Sequence, residues 1–203
     1  MIKVYHATNT RSIRVIWLLE ELGIPYEIEK LSFAEPKIKS AAYLAIHPLG
    51  QVPAIDEDGF CMTESGAIVE YILAKYGKGR LMPKPGTHDH GTCLRWMHFA
   101  EATFMPALAA IAQHTFLRPE DQRIPQIVTE AKATAAAMLG VIDKQLAGKK
   151  FILGTEFSAA DIMLGYNLHL CKLFHLPLDG FPNVAAYHAH LSERPGYKIA
   201  TAG

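Results

Sequence analysis

Surplus charge of either sign is missing. The 203-residue chain carries 20 Lys plus Arg against 20 Asp plus Glu. A nucleic-acid binder needs excess positive charge to displace phosphate counterions, and a lipid-surface binder needs a polybasic patch, so both classes are disfavoured. Long apolar runs are missing too. The longest uncharged stretches, Ser40–Ile55 and Ala102–Leu117, are broken by proline and fall short of the ~20 apolar residues of a membrane-spanning helix. Met1-Ile2-Lys3-Val4-Tyr5-His6 opens no signal-peptide apolar segment. Cysteine is scarce: Cys61, Cys93 and Cys171 are odd in number and far apart, with neither C-x-x-C nor a disulfide framework. His88-Asp89-His90 and His188-Ala189-His190 are the only metal-like pairs. An i, i+2 pair on a helix diverges by about 200°, and nothing nearby completes either set, so no metal is expected. These absences point to a soluble protein of a reducing compartment, placed in the cytoplasm, with no nucleic-acid or membrane partner. Apolar residues are plentiful at 50%, enough for a sizeable core.

The patterning changes character along the chain. Ile2–His6 reads as a strand. Thr8-Asn9-Thr10-Arg11-Ser12 is a loop rich in helix-capping residues. The dense apolar segment Ile13–Leu22 predicts a helix buried over most of its surface, closed by Gly23 and Pro25. Tyr26–Leu31 reads as a second strand, giving the strand–helix–strand unit of a parallel α/β sheet. Lys37–Ile46 holds a short helix. His47–Ile55, with two prolines and a glycine, surrounds a short strand. Asp56-Glu57-Asp58-Gly59 is a hairpin turn, since Asp-Gly suits positive φ. Phe60–Met62 returns, and Thr63-Glu64-Ser65 opens a helix to Tyr76. Gly77–Gly86 is a linker with three glycines and two prolines. Beyond it His88–Thr115, Pro119–Leu146, Ser158–Phe174 and Asn183–Leu191 all predict helices, with Pro106 and Pro125 expected to kink or divide the first two. The expected architecture is an α/β domain over 1–79 followed by an all-α domain over 87–203.

Two strand–helix junctions carry chemistry. A helix N-terminus exposes unpaired N–H groups and about half a positive charge, a natural anion site. Thr10 and Ser12 stand at the first junction, where a hydroxyl either caps the helix or donates to a thiolate or oxyanion. At the second, Ser65 or Thr63 either caps the helix or joins a nest of N–H groups suited to a carboxylate, with Glu64 able to hold an ammonium. Between them, Gln51-Val52-Pro53 is either a plain loop-to-strand entry or backbone free to pair with an extended ligand. Ser158-Ala159-Ala160-Asp161 has the shape of a capping box, with Phe157 and Ile162 placed as a hydrophobic staple. It is read as folding chemistry of about 1–2 kcal/mol, which makes Asp161 structural.

Four blocks resemble one family. Thr10 through Tyr26 looks like the opening of a cytosolic glutathione S-transferase, of the bacterial-like type. His47-Pro48-Leu49-Gly50-Gln51-Val52-Pro53-Ala54-Ile55 is similar to its glutathione-backbone loop. Glu64-Ser65-Gly66-Ala67-Ile68 resembles its γ-glutamyl site, and Phe151–Gly154 through Phe157–Ile162 its helical-domain capping segment. The resemblance implies a thioredoxin-like N-terminal domain, an all-α C-terminal domain and a homodimer. It implies glutathione as co-substrate, without a metal, and transfer of its thiol to a small hydrophobic electrophile in detoxification. A glutathione peroxidase or isomerase, or a non-catalytic binding module on the same fold, are the alternatives. By the same resemblance Val52 pairs with the cysteinyl unit, Pro53 is a cis-proline, Glu64 and Ser65 hold the γ-glutamyl end, Gln51 lies alongside, and Lys39 meets the glycyl carboxylate. Thr10 is the expected catalytic hydroxyl, with Ser12, Asn9 and Tyr5 as fallbacks. No cysteine lies in that loop. His98, Glu101 and Met105, at i, i+3, i+7, share one helical face that in the family borders the substrate pocket; the other reading of that face is a buried packing surface.

Overall fold

The computed structural model describes residues 1–32 and 36–202. The four strands read from the sequence form one sheet. Strand β1 (Ile2–His6) runs parallel to β2 (Tyr26–Lys30) and antiparallel to β3 (Ala54–Glu57), which pairs antiparallel with β4 (Phe60–Thr63). The order is β2-β1-β3-β4, so β1 is central and Ile2, Val4, Tyr5 and His6 are all buried. Both residues of the hairpin turn, Asp58 (φ 54°) and Gly59 (φ 92°), take positive φ, and the Gly59 N–H donates to Asp56 Oδ1 at 2.8 Å.

Helix α1 (Ser12–Leu22) follows β1 and buries Ile13, Val15, Ile16, Trp17, Leu18 and Leu19. It ends where expected: Gly23 sits at φ 66°, and the Ile24 N–H reaches back to the Leu19 carbonyl at 3.0 Å. Helix α2 (Ala41–Leu44) is capped by the Ser40 hydroxyl, which accepts from the Tyr43 N–H. Helix α3 (Ser65–Tyr76) runs directly from β4.

Beyond Pro83 the described residues form helices and no named strand. Helix α4 (His88–His98) passes through a π-helical stretch, Phe99–Phe104, into α5 (Met105–Ala112) and a second π stretch, Gln113–Leu117. Pro106 therefore does not split this run. The wider π turn just before it absorbs the missing N–H and the ring's bulk. Inside that turn the Ala100 carbonyl accepts from Asn167 Nδ2 at 2.7 Å. Pro125 does divide its segment, starting α6 (Pro125–Leu146). Helices α7 (Ala159–Leu173) and α8 (Pro182–Ser192) follow.

The chain divides into two compact units, Pro83–Leu191 and a discontinuous one of Met1–Met82 with the segment from Ser192 onward. The sequence reading counts 87–203 as one domain and has no helix after Leu191. The structure adds α9 (Pro195–Thr201), which packs on α1 within the first unit. The reasons are local. Arg194 makes a two-pronged ion pair with Glu21 (2.7 and 2.6 Å), and Tyr197 meets Trp17 edge-on at 5.1 Å. Gly196 allows the approach: a Cβ there would lie 2.9 Å from Trp17 Cδ1.

In the second unit Asp161 is fully buried. The capping box with Ser158 forms, and Asp161 also accepts from the Ile152 N–H (2.8 Å) and the Tyr187 hydroxyl (2.6 Å). Burial pushes its carboxyl up, against donors that favour the charged form. Removing it strands those donors as well as losing the cap, so Asp161→Ala is expected to cost about 3 kcal/mol, more than a cap alone; urea unfolding of the full chain measures it. His188 is buried, and burial, with Lys172 and His169 nearby, lowers its pKa to about 4. An unfolded histidine near 6.5 takes up a proton more readily than this one. Its stabilising contribution is thus complete above pH 6.5 and lost as pH falls toward 4. His188→Gln should flatten the decline of Tm over that window.

Candidate functional site

Three loops leave the sheet at one end, and register is the cause. Tyr5 pairs with Ala54, and Ala54 pairs with Thr63. The residues just past that row are His6 on β1, Pro53 ahead of β3 and Glu64 after β4. The loops 7–11 and 50–53 and the start of α3 are therefore neighbours, and the N-termini of α1 and α3 open beside them. Because β1 and the β3–β4 hairpin share one sheet, the two junctions lie at the same end of it.

At the first junction neither Thr10 nor Ser12 caps α1. Arg11 holds the N-cap position and no side chain caps it. The hydroxyls instead form a chain. Thr10 Oγ1 donates to the Ala7 carbonyl at 2.6 Å and lies 2.6 Å from Ser12 Oγ, which is 2.7 Å from His6 Nδ1. Ser12 is fully buried and Thr10 half-buried, while Asn9 is exposed in the left-handed region at φ 58°. A ligand can reach Thr10 and Asn9 but not Ser12. Tyr5 faces the core, 5.3 Å from the Tyr43 ring, and burial raises its pKa.

The middle loop is shaped for close approach. The Val52–Pro53 peptide is cis. Neither backbone group of Val52 hydrogen-bonds to a described residue. Gly50 has φ 58°, and a Cβ there would lie 2.6 Å from the Ile38 carbonyl. Two bonds hold the loop from outside: Tyr43 Oη donates to the Gln51 carbonyl at 2.5 Å, and Lys39 Nζ to the Leu49 carbonyl at 3.0 Å. Gln51 and Lys39 are exposed. His47 is buried beside Tyr43; burial lowers its pKa, with the Glu64 charge opposing.

At the second junction Ser65 does not cap α3 either. Glu64 occupies the N-cap position at φ 68°, and its side chain makes no cap bond. Ser65 is buried and its Oγ accepts from Arg14 Nη1 at 3.0 Å. Arg14 is itself fully buried inside α1. It ties the two helix starts together and adds a positive charge behind them. Glu64 remains exposed.

The sequence reading passes over His6, Arg14 and Tyr43. The available signal was polarity in the wrong place: an imidazole ending a buried strand, and a guanidinium within the most apolar helix of the chain. On the second unit, His98 is exposed, Glu101 half-buried and Met105 buried. The π turn at Phe99–Phe104 shifts the register, so the i, i+3, i+7 spacing no longer defines one α-helical face. Among the described residues no cluster of three metal-ligating side chains occurs, and no helix is long and apolar enough to cross a membrane.

Residues 1–74 match the glutathione S-transferase N-terminal domain family, and residues 125–190 the glutathione S-transferase C-terminal domain family. Glutathione S-transferase 3 of Schizosaccharomyces pombe is 31% identical over 213 residues, covering 98% of this chain and 86% of that protein. Glutathione S-transferase GstB of Escherichia coli K12 is 31% identical over 206 residues, covering 98% and 96%. Among solved structures, the glutathione transferase URE2P6 from Phanerochaete chrysosporium in complex with oxidized glutathione aligns with a TM-score of 0.88 at 26% identity, covering 98% of this chain and 94% of that one.

Proposed function

The chain belongs to the glutathione S-transferase family, and from that membership we propose that the three-loop end of its sheet binds glutathione as an extended strand and ionises its thiol. The protein is a glutathione transferase. The observation that carries the binding mode is the Val52 backbone, whose N–H and carbonyl have no partner among the described residues. Pairing them with the cysteinyl unit, beside cis-Pro53, lays the tripeptide across the loop. Its γ-glutamyl end then reaches the start of α3. There the exposed Glu64 carboxylate meets the ammonium, and the first N–H groups of the helix, with Ser65, meet the carboxylate. Gln51 flanks this end. Lys39 serves the glycyl carboxylate, sharing its ammonium with the Leu49 carbonyl.

The sulfur falls next to the loop before α1, where Thr10 supplies the donor. A thiol of pKa near 8.5 is only a few per cent ionised at pH 7. Lowering that pKa by about two units takes roughly 2.7 kcal/mol of preference for the anion. One hydrogen bond to a charged partner supplies about 1.5–3 kcal/mol, and a helix start about 0.3–1 kcal/mol. Thr10 and α1 together suffice without a general base. Asn9, exposed in the same loop, is the second donor within reach, and Ser12 acts from behind. Ionisation saturates, so further acceleration comes from placing the acceptor.

A small hydrophobic electrophile is the acceptor this reading assigns, and His98, Glu101 and Met105 are the residues that the family resemblance implies for its pocket. A homodimer as the working assembly, a detoxification role and a cytoplasmic location complete the reading; the family membership supports each.

Thr10→Ala should raise the pKa of the bound thiol by one to two units, from the loss of about 1.5–3 kcal/mol, with glutathione affinity little changed. Ultraviolet titration of the thiolate in the complex measures it, and an unchanged pKa transfers the role to Asn9 or to backbone N–H groups. Glu64→Ala should do the reverse, weakening affinity by about tenfold or more for a lost charged hydrogen bond while leaving thiol ionisation near its starting value. Isothermal titration with glutathione reads that loss, and undiminished affinity removes Glu64 from the site.

A further inference from the structure

The hydroxyl chain behind Thr10 has more members than the reaction needs. Four polar groups meet there: the His6 imidazole, the Ser12 and Thr10 hydroxyls and the Ala7 carbonyl. The contacts are short where the chain is continuous: 2.7 Å from His6 Nδ1 to Ser12 Oγ, 2.6 Å from Ser12 Oγ to Thr10 Oγ1, and 2.6 Å from Thr10 Oγ1 to the Ala7 carbonyl. The direct contact from Ser12 to that carbonyl is long, at 3.4 Å. His6 and Ser12 are buried, so neither touches a ligand.

Each hydroxyl owns one proton, and this decides how the chain can run. If His6 carries its proton on Nδ1, that N–H donates to Ser12, and the Ser12 proton then goes to Thr10. Thr10 accepts one bond and keeps its own proton to give. In the structure that proton goes to the Ala7 carbonyl. If His6 instead carries its proton on Nε2, Ser12 spends its proton on the ring. Thr10 then loses its inner donor, and its proton is drawn to Ser12 Oγ, away from the loop surface.

We infer that His6 is a positioning residue for the thiolate donor: as the Nδ1–H tautomer it orders Ser12, and Ser12 commits the Thr10 proton outward to the sulfur of bound glutathione. The inference rests on the reading that Thr10 meets that sulfur. Its two supports are independent of that reading. The contacts form an unbroken line from the sheet interior to the loop, and the ring is held neutral. Burial lowers the pKa of His6, and the nearby Lys30 charge adds to that. A neutral imidazole has a tautomer to choose, whereas an imidazolium has none. Hydrogen bonds in series also polarise one another, by about 10–30% per bond, which makes the last donor stronger than a lone hydroxyl.

Two measurements on the full chain test this. The first is the ¹⁵N spectrum of the His6 ring at neutral pH, which distinguishes the tautomers without any substitution in the chain of contacts. A protonated Nδ1 supports the inference, and a protonated Nε2 overturns it. The second compares the bound-thiol pKa in variants. Ser12→Ala removes the link with little change of volume, and His6→Phe removes the donor. Each should reduce the thiolate fraction in the titrating range by about threefold, a polarisation effect smaller than that of Thr10→Ala, while glutathione affinity stays unchanged. His6→Asn, whose Nδ2–H can stand where the ring N–H stood, should restore most of the loss. A purely structural role would not give this pattern of loss and rescue. If Thr10→Ala raises the thiol pKa and folded Ser12→Ala does not, the inference fails and the role of Thr10 stands. If Thr10→Ala itself leaves the pKa unchanged, the reading beneath it fails and takes the inference along.

Discussion

Tyr5, Ala54 and Thr63 stand side by side across three strands, and the placement of the loop before α1, the Val52–Pro53 turn and the start of α3 follows from that row. A slip of one residue in either pairing would turn the side chains of a strand to the opposite face. It would also move the ends of β1, β3 and β4 out of alignment. With the row in place, short connections do the rest. Five residues join β1 to α1, none intervenes between Thr63 and the N-cap of α3, and the cis peptide at Val52–Pro53 delivers the chain into β3. The starts of two helices are thereby brought beside a backbone segment, Val52, that has no hydrogen-bond partner among the described residues.

Buried polar groups connect these parts. The guanidinium of Arg14 crosses from α1 to Ser65, and His6 reaches from the sheet to Ser12. Such groups are costly to desolvate unless satisfied. Their hydrogen bonds explain why the hydroxyls at both junctions are diverted from capping. Ser65 accepts from an arginine, and Thr10 and Ser12 join a line of donors that starts at a histidine. At α1 the Ile13 and Arg14 N–H groups turn back to the Thr10 and Arg11 carbonyls, whereas at α3 the first backbone bond is that of the Ile68 N–H to the Glu64 carbonyl, which leaves the start of α3 the more open to an anion.

Much of this was legible in the sequence, and the pattern of success is physical. Strands and helices governed by local periodicity, such as Ile2–His6, the buried helix through Leu22 and the Asp-Gly hairpin, stand where the periodicity puts them. The α/β unit followed by helices, and the family, were readable because short motifs with special backbone needs kept their order and spacing. What escaped depends on contacts between distant residues. Nothing local says that Arg14 will point at Ser65, fifty-one positions away. Nothing in Pro106 itself says that a π turn, with Asn167 donating to its Ala100 carbonyl, will let the helix continue. The segment Pro195–Thr201 is too short and too weakly patterned to announce a helix. Its stability comes from Trp17 and Glu21, which belong to the far end of the chain.

That last contact sets an order of events during synthesis. The α1 surface covered by Tyr197 and Arg194 has no cover until residues 192–203 have left the ribosome, after every residue of the second unit. The N-terminal unit, first to emerge, is the last to be completed. Until then the Trp17 and Glu21 flank of the nascent chain lies open, and a chaperone that shields apolar surface would have a target there.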